Sequence, residues 1–190
     1  MGQLIQTQAN AQASSALALK GNESPSQYLT FALGGEMFAV GILNVKEIIE
    51  YGNLTEIPMM PAFIRGVINL RGSVVPVIDL SARFGGKSTE VSRRTCIVIV
   101  EVTDEETRHD IGIMVDAVSE VLDIPDNEIE PPPSFGARIR ADFIFGMGKV
   151  VGKFVIILNI NKVLSVEEIA QLTGSENTAS ESHNASVISQ

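Results

Sequence analysis

Tryptophan is absent from this 190-residue chain, cysteine occurs once, histidine twice, and aromatic residues make up 5%. Basic residues are also scarce, with 14 Lys and Arg against 23 Asp and Glu and a net charge of −9. A nucleic-acid surface needs basic stripes and stacking rings, so this composition argues against one. The same deficit disfavours a polybasic membrane anchor. No run of eighteen apolar residues occurs, and no direct membrane insertion is expected. One cysteine excludes an intramolecular disulfide and a Cys-rich zinc site. Cys96 lies in the run Thr95-Cys-Ile-Val-Ile-Val100 and reads as a buried, inert thiol. Met1-Gly-Gln-Leu-Ile-Gln6 lacks the basic region and long apolar core of a signal peptide and the Ser or Thr of a myristoylation motif. A cytoplasmic protein is expected.

Catalytic constellations are equally thin. The two histidines, His109 in a charged loop and His183 near the end, cannot build a zinc cluster or a convincing nucleophile–His pair. Gly86-Lys87-Ser88 looks like the close of a phosphate-binding loop, but Ser81 stands where its first glycine belongs. Gly146-Met-Gly148-Lys-Val-Val-Gly152 has the wrong spacing for a dinucleotide fingerprint. Asp79 or Glu47 could serve as carboxylates for glycoside chemistry, yet no Trp is present to form a sugar platform. The chain therefore reads as non-enzymatic, with no catalytic residue, metal or cofactor assigned.

What the chain does contain is a duplication. Phe63-Ile-Arg-Gly66, Gly72, Val75 and Asp79-Leu80 are answered eighty residues later by Phe143-Ile-Phe-Gly146, Gly152, Val155 and Asn159-Ile160. Upstream, Val45-Lys-Glu-Ile-Ile49 matches Val118-Ser-Glu-Val-Leu122 at an offset of 73, and Pro58 matches Pro131 at the same offset. A loop inserted around 136–142 accounts for the difference. Each copy carries five short apolar or alternating runs: 28–33, 37–42, 47–57, 65–70 and 73–80, then 96–100, 111–115, 120–129, 145–150 and 154–160. Gly34-Gly35 turns the first run back on the second. Five short strands in about sixty residues suggest a small barrel, and Gly66 and Gly146 fall where a strand bends at a corner. Ser165-Val-Glu-Glu168 is a capping box opening a helix over 166–172. The expected fold is all-β: two five-stranded barrel subdomains from an internal duplication, at 27–90 and 91–172, with a short C-terminal helix. Residues 1–26 and 173–190, rich in Ser, Asn, Gln and Ala, are expected to be disordered tails.

The two copies differ at the surface. The first is nearly neutral and the second strongly acidic, with Asp104, Glu105, Glu106 and Asp110 in a loop that is either solvated or faces a partner. Glu47 has a counterpart in Glu120, whereas Arg71 is answered by Val151. Only the first copy can set Arg71 against a nearby acid such as Glu47. Such a pair is either an ordinary surface ion pair or an interaction anchor on a hairpin tip.

Pro61-Ala-Phe-Ile-Arg-Gly-Val-Ile-Asn-Leu-Arg-Gly72, followed by Val75-Pro-Val-Ile-Asp-Leu80 and preceded by Val45-Lys-Glu-Ile-Ile49, resembles the CheW family of chemotaxis coupling proteins over about residues 27–172. The resemblance implies two five-stranded SH3-like barrels. It also implies a non-enzymatic adaptor linking the cytoplasmic tip of transmembrane chemoreceptors to the regulatory domain of the histidine kinase CheA, recruited to membrane receptor arrays. The family's partner-binding positions fall on Val45, Glu47, Gly66, Arg71 and Gly72, with a kinase-facing surface near Phe135. There Glu130 precedes the prolines where relatives often carry a basic residue. A coupling protein of a different chemosensory array, such as one for surface motility, is the alternative.

Overall fold

The computed structural model describes residues 26–104, 107–133 and 139–169. Both expected tails except Ser26, together with Glu105, Glu106 and Phe135, lie outside this set. The chain forms two sheets, each of which curls back on itself. The first takes β3 (Val45–Glu50), β4 (Ile64–Leu70), β5 (Ser73–Asp79), β6 (Cys96–Asp104) and β7 (Thr107–Val115) in the order β3-β6-β7-β5-β4. The second takes β1 (Ser26–Leu33), β2 (Glu36–Gly41), β8 (Ala117–Ile124), β9 (Ile129–Glu130), β10 (Ile144–Val150) and β11 (Lys153–Leu158) in the order β8-β1-β2-β11-β10-β9. One parallel contact in each, β5 with β7 and β11 with β2, joins the hairpins. Closure comes from the chain just beyond the edge strand: Thr55, after β3, bridges Val67 of β4, and β9, after β8, pairs with β10.

The duplication and the barrel architecture hold, but the division at residue 90 does not. Barrel 1 is the continuous stretch β3–β7, and it is inserted between β2 and β8 of barrel 2. The hairpin β1–β2 opens the first sequence copy yet pairs with β8, while β6–β7 opens the second copy and pairs with β3. Each copy donates its leading hairpin to the other barrel. The physical reason lies in strands that are apolar on both faces. In β6, Val98, Val100 and Val102 point one way and Ile97 and Ile99 the other, and all are buried. Leu29 and Phe31 of β1 likewise oppose Tyr28. Strands buried on both faces need a barrel interior on one side and a second apolar layer on the other. The interior of barrel 1 is Ile68, Val75, Val77, Ile97, Ile99 and Met114, and that of barrel 2 centres on Tyr28, Ile124, Val155 and Ile157. The largest core lies between the barrels, where Phe31, Phe38, Val98, Val100, Ile113 and Phe143 meet. Full burial of each such side chain contributes about 1.5–3 kcal/mol.

Local departures have local causes. The expected loop over 103–110 is instead the end of a long hairpin, with Thr103 opposite Arg108 and Asp104 opposite Thr107. Ladder bonds hold these polar residues extended. Two single helical turns, α1 (Leu80–Arg83) and α2 (Ile160–Val163), follow β5 and β11 where strand was expected to continue through Leu80 and Ile160. Asp79 starts α1: its buried carboxylate accepts from Ser81 N and Ala82 N, and from Thr89 N and Oγ1 at 2.7 and 2.9 Å. The expected C-terminal helix begins at 166–169, with Ser165 Oγ accepting from Glu168 N; its continuation lies outside the described residues. The bridges also revise the alignment, for Thr55 and Glu130, 75 residues apart, close the two barrels, and Pro58 and Pro131 are two positions out of register.

Gly66 and Gly146 sit at matching register shifts in β4 and β10. At Gly66 φ is +140°, and a Cβ would stand 2.2 Å from Thr55 O. At Gly146 the nearest atom would be Ile129 Cγ2 at 2.5 Å, a side chain that can yield. Gly66→Ala is therefore expected to cost about 3 kcal/mol or more and Gly146→Ala about 1–2 kcal/mol, measured by urea titration. Equal midpoints for both variants and the parent would refute the bulge equivalence.

Candidate partner-binding site

Val45, Glu47, Arg71 and Gly72 converge at one end of barrel 1. A register shift between Val45 and Glu47 switches the face of β3. Val45 consequently packs on the edge of the inter-barrel core, while Ile49 packs inside barrel 1. Glu47 falls on the side of Ile49 and reaches the tip of the β4–β5 hairpin. There Leu70-Arg71-Gly72-Ser73 forms a two-residue turn with φ +52° at Arg71 and +89° at Gly72, the type I′ geometry that matches strand twist. Asn69 Oδ1 accepts from Gly72 N at 2.8 Å and holds the turn.

The expected pairing of Arg71 with Glu47 is present and bidentate: Nη1 to Oε1 at 2.9 Å and Nη2 to Oε2 at 3.0 Å. Fork-on-carboxylate geometry gives direction as well as charge. The Arg71 side chain is 79% exposed and that of Glu47 24%. Solvent screens such a pair, which leaves its donors and acceptors accessible to a partner. Leu43 is 98% exposed, and Ile48 is also exposed, on the face of β3 opposite Glu47. Leu43 was not singled out from sequence. A lone apolar residue in a run of apolar residues gives no signal that it faces water.

Lys46, on the opposite face of β3, likewise carries no sequence signal of its contacts. Its Nζ bonds Asp110 at 2.6 Å and Glu101 at 2.9 Å, and these carboxylates, Asp110 first, raise its pKa above the usual lysine value. Lys46 in turn holds the carboxyl of Glu101 below its ordinary range, and Arg108 adds to the cluster from β7. Part of the acidic surface noted in sequence is thus neutralised within the fold.

Other expected positions separate from this end. Gly66 is buried at its bulge and offers no surface of its own. Phe135 lies outside the described residues. Glu130 pairs with Lys149 at 2.5 Å across β9 and β10. Asp79, considered as a carboxylate for catalysis, is fully buried and accepts four bonds from its own chain. Barrel 2 repeats the turn with φ +46° at Val151 and +73° at Gly152. Its Val151 carries no charge, and Glu120 forms no ion pair among the described residues.

Losing an exposed pair should cost at most about 1 kcal/mol, and the coupling energy in a Glu47→Gln/Arg71→Ala double-mutant cycle should also stay below about 1 kcal/mol. Val151→Gly removes a β-branched residue from a left-handed conformation and should stabilise by about 1 kcal/mol. Denaturant titration of the four variants tests both expectations.

A family model described as CheW-like domain matches residues 27–168. Chemotaxis protein CheW of Klebsiella aerogenes is 35% identical over 152 residues, covering 80% of this chain and 89% of that protein. Chemotaxis protein CheW of Rhizobium meliloti is 34% identical over 142 residues, covering 75% and 89%. The crystal structure of the scaffolding protein TtCheW from Thermoanaerobacter tengcongensis is similar at a TM-score of 0.67 and 38% identity, covering 74% of this chain and 92% of that one.

Proposed function

Because the chain belongs to the CheW-like family of non-enzymatic chemotaxis adaptors, we propose that it couples chemoreceptors to the histidine kinase CheA, and that Glu47 and Arg71 form part of the contact. In this reading the cytoplasmic tip of the receptor and the regulatory domain of the kinase are its partners, and it is recruited from the cytoplasm to receptor arrays. No helix among the described residues is long and apolar enough to cross a membrane, so membrane association would come through those partners.

The observation that carries the assignment is the accessible bidentate pair on barrel 1, which has no counterpart on barrel 2. Arg71 occupies a backbone conformation that disfavours a side chain, and an exposed ion pair repays at most about 1 kcal/mol of that strain. In an interface an Arg anchor contributes about 2 kcal/mol or more. Val45 would supply an apolar part of the contact, and Gly72 the tight turn that presents Arg71. Gly66 would act by shaping β4, and the kinase-facing role of Phe135 remains part of the same proposal.

The test is phosphate transfer in a mixture of receptor-bearing membranes, CheA and this protein. Arg71→Ala and Glu47→Lys are expected to stay folded yet lower receptor-dependent kinase activation by about tenfold or more. Glu47→Lys should be the more severe, since it sets two cations together. Val151→Ala, at the equivalent tip, should leave activation unchanged. Full activation by both barrel-1 variants would overturn the assignment.

A further inference from the structure

The joint between the barrels is built from repeated parts, and one side chain breaks their symmetry. Phe63 and Phe143 lead into β4 and β10 eighty residues apart, and Arg83 and Val163 end α1 and α2 at the same spacing. Arg83 lies across this joint. Its guanidinium carbon is 5.3 Å from the ring centre of Phe63 and 4.9 Å from that of Phe143. Its Nε donates to Val163 O at 3.1 Å, the carbonyl of its own repeat counterpart. The side chain is only 7% exposed. Nη2 has no hydrogen-bond partner and is compensated by the charge of Glu168 Oε1, 3.2 Å away.

The same oxygen serves the other barrel. Arg140, which precedes β10, donates to Glu168 Oε1 at 2.6 Å, is bidentate on Asp142, and stacks 4.6 Å from the ring centre of Phe143. One carboxylate on the helical turn 166–169 thus holds a guanidinium from each barrel. Val166 and Ile169 of that turn pack on the inter-barrel core and wall a cavity of about 440 Å3 with Ile64, Val75, Ile78 and Ile111.

We propose that this turn is a strap, fastened across the joint by Glu168, and that it fixes how the barrels sit against each other. A cation as buried as Arg83 is costly without its counter-charge. When Glu168 is neutralised, Arg83 has to move toward water, and it leaves the two rings it spans. Release therefore spreads into the joint and does not stop at fraying of the turn. This inference concerns the fold alone and holds whatever partner binds.

The test uses the full chain in a Cys96→Ser background with spin labels at Ser73→Cys on barrel 1 and Lys153→Cys on barrel 2. Glu168→Gln is expected to broaden the distance distribution about twofold and to speed amide exchange over 160–169 about tenfold. Adding Arg83→Met should narrow the distribution again while exchange of the turn stays fast, because the joint no longer holds an uncompensated cation. Glu168→Asp, which draws the carboxylate back from Arg83, should give the same broadening at smaller amplitude and serves if Glu168→Gln does not unfold cooperatively. An unchanged distribution, with or without faster exchange, would make the turn a loose end and overturn the proposal. So would a double variant broader than Glu168→Gln alone.

Discussion

Leu29, Phe31, Phe38, Val98, Val100 and Ile113 face a core that belongs to neither barrel, on strands whose other faces fill the barrel interiors. Such strands have no solvent side, so each barrel completes the burial of the other. The connectivity follows from this constraint. Leading hairpins β1–β2 and β6–β7, the most apolar on both faces, lie at the centre, and the more polar hairpins β4–β5 and β10–β11 lie outward with their tips in solvent. The surface is thereby relieved of a stabilising role, and a residue such as Arg71 can sit on a tip with little effect on the fold.

This division also explains what could be read from the amino acids alone. Bulge glycines, two-residue turns and the Ser165 cap are local, and each appears where its residues imply, although the Glu168 carboxylate that would complete a capping box turns to Arg83 and Arg140. The repeat is visible because Gly66 and Gly146 meet the same steric demand, the approach of Thr55 and Glu130 backbone oxygens. The exchange of hairpins is invisible for the same reason. Two copies with equivalent pairing edges can satisfy the same ladder bonds within or between copies, and local pattern does not choose between them. Long-range contacts such as Arg83 with Glu168 are likewise beyond pattern, since no periodicity relates them.

At the candidate site, legibility came from asymmetry. A charge in one copy and a valine at the matching place in the other isolated Arg71, and the fold sets Glu47 beneath it in fork geometry. The exposed Leu43 and Ile48 carry no comparable signal, because an exposed aliphatic residue is written with the same letter as a buried one. The candidate site is made of side chains that the packing leaves over.

The insertion of barrel 1 within barrel 2 imposes an order on synthesis. Of the barrel strands, those of residues 26–41 emerge from the ribosome first, as a hairpin whose two apolar faces have nothing to cover them. Their sheet partner β8 begins only at Ala117, about 76 residues later, which at roughly 5–20 residues per second is a wait of about 4–15 seconds. Barrel 1 is continuous in the chain and can close once β7 is out at Val115, just as β8 begins. While β8–β11 are made, the nascent chain holds a finished barrel and a waiting hairpin together, and the early hairpin is the segment longest without its cover.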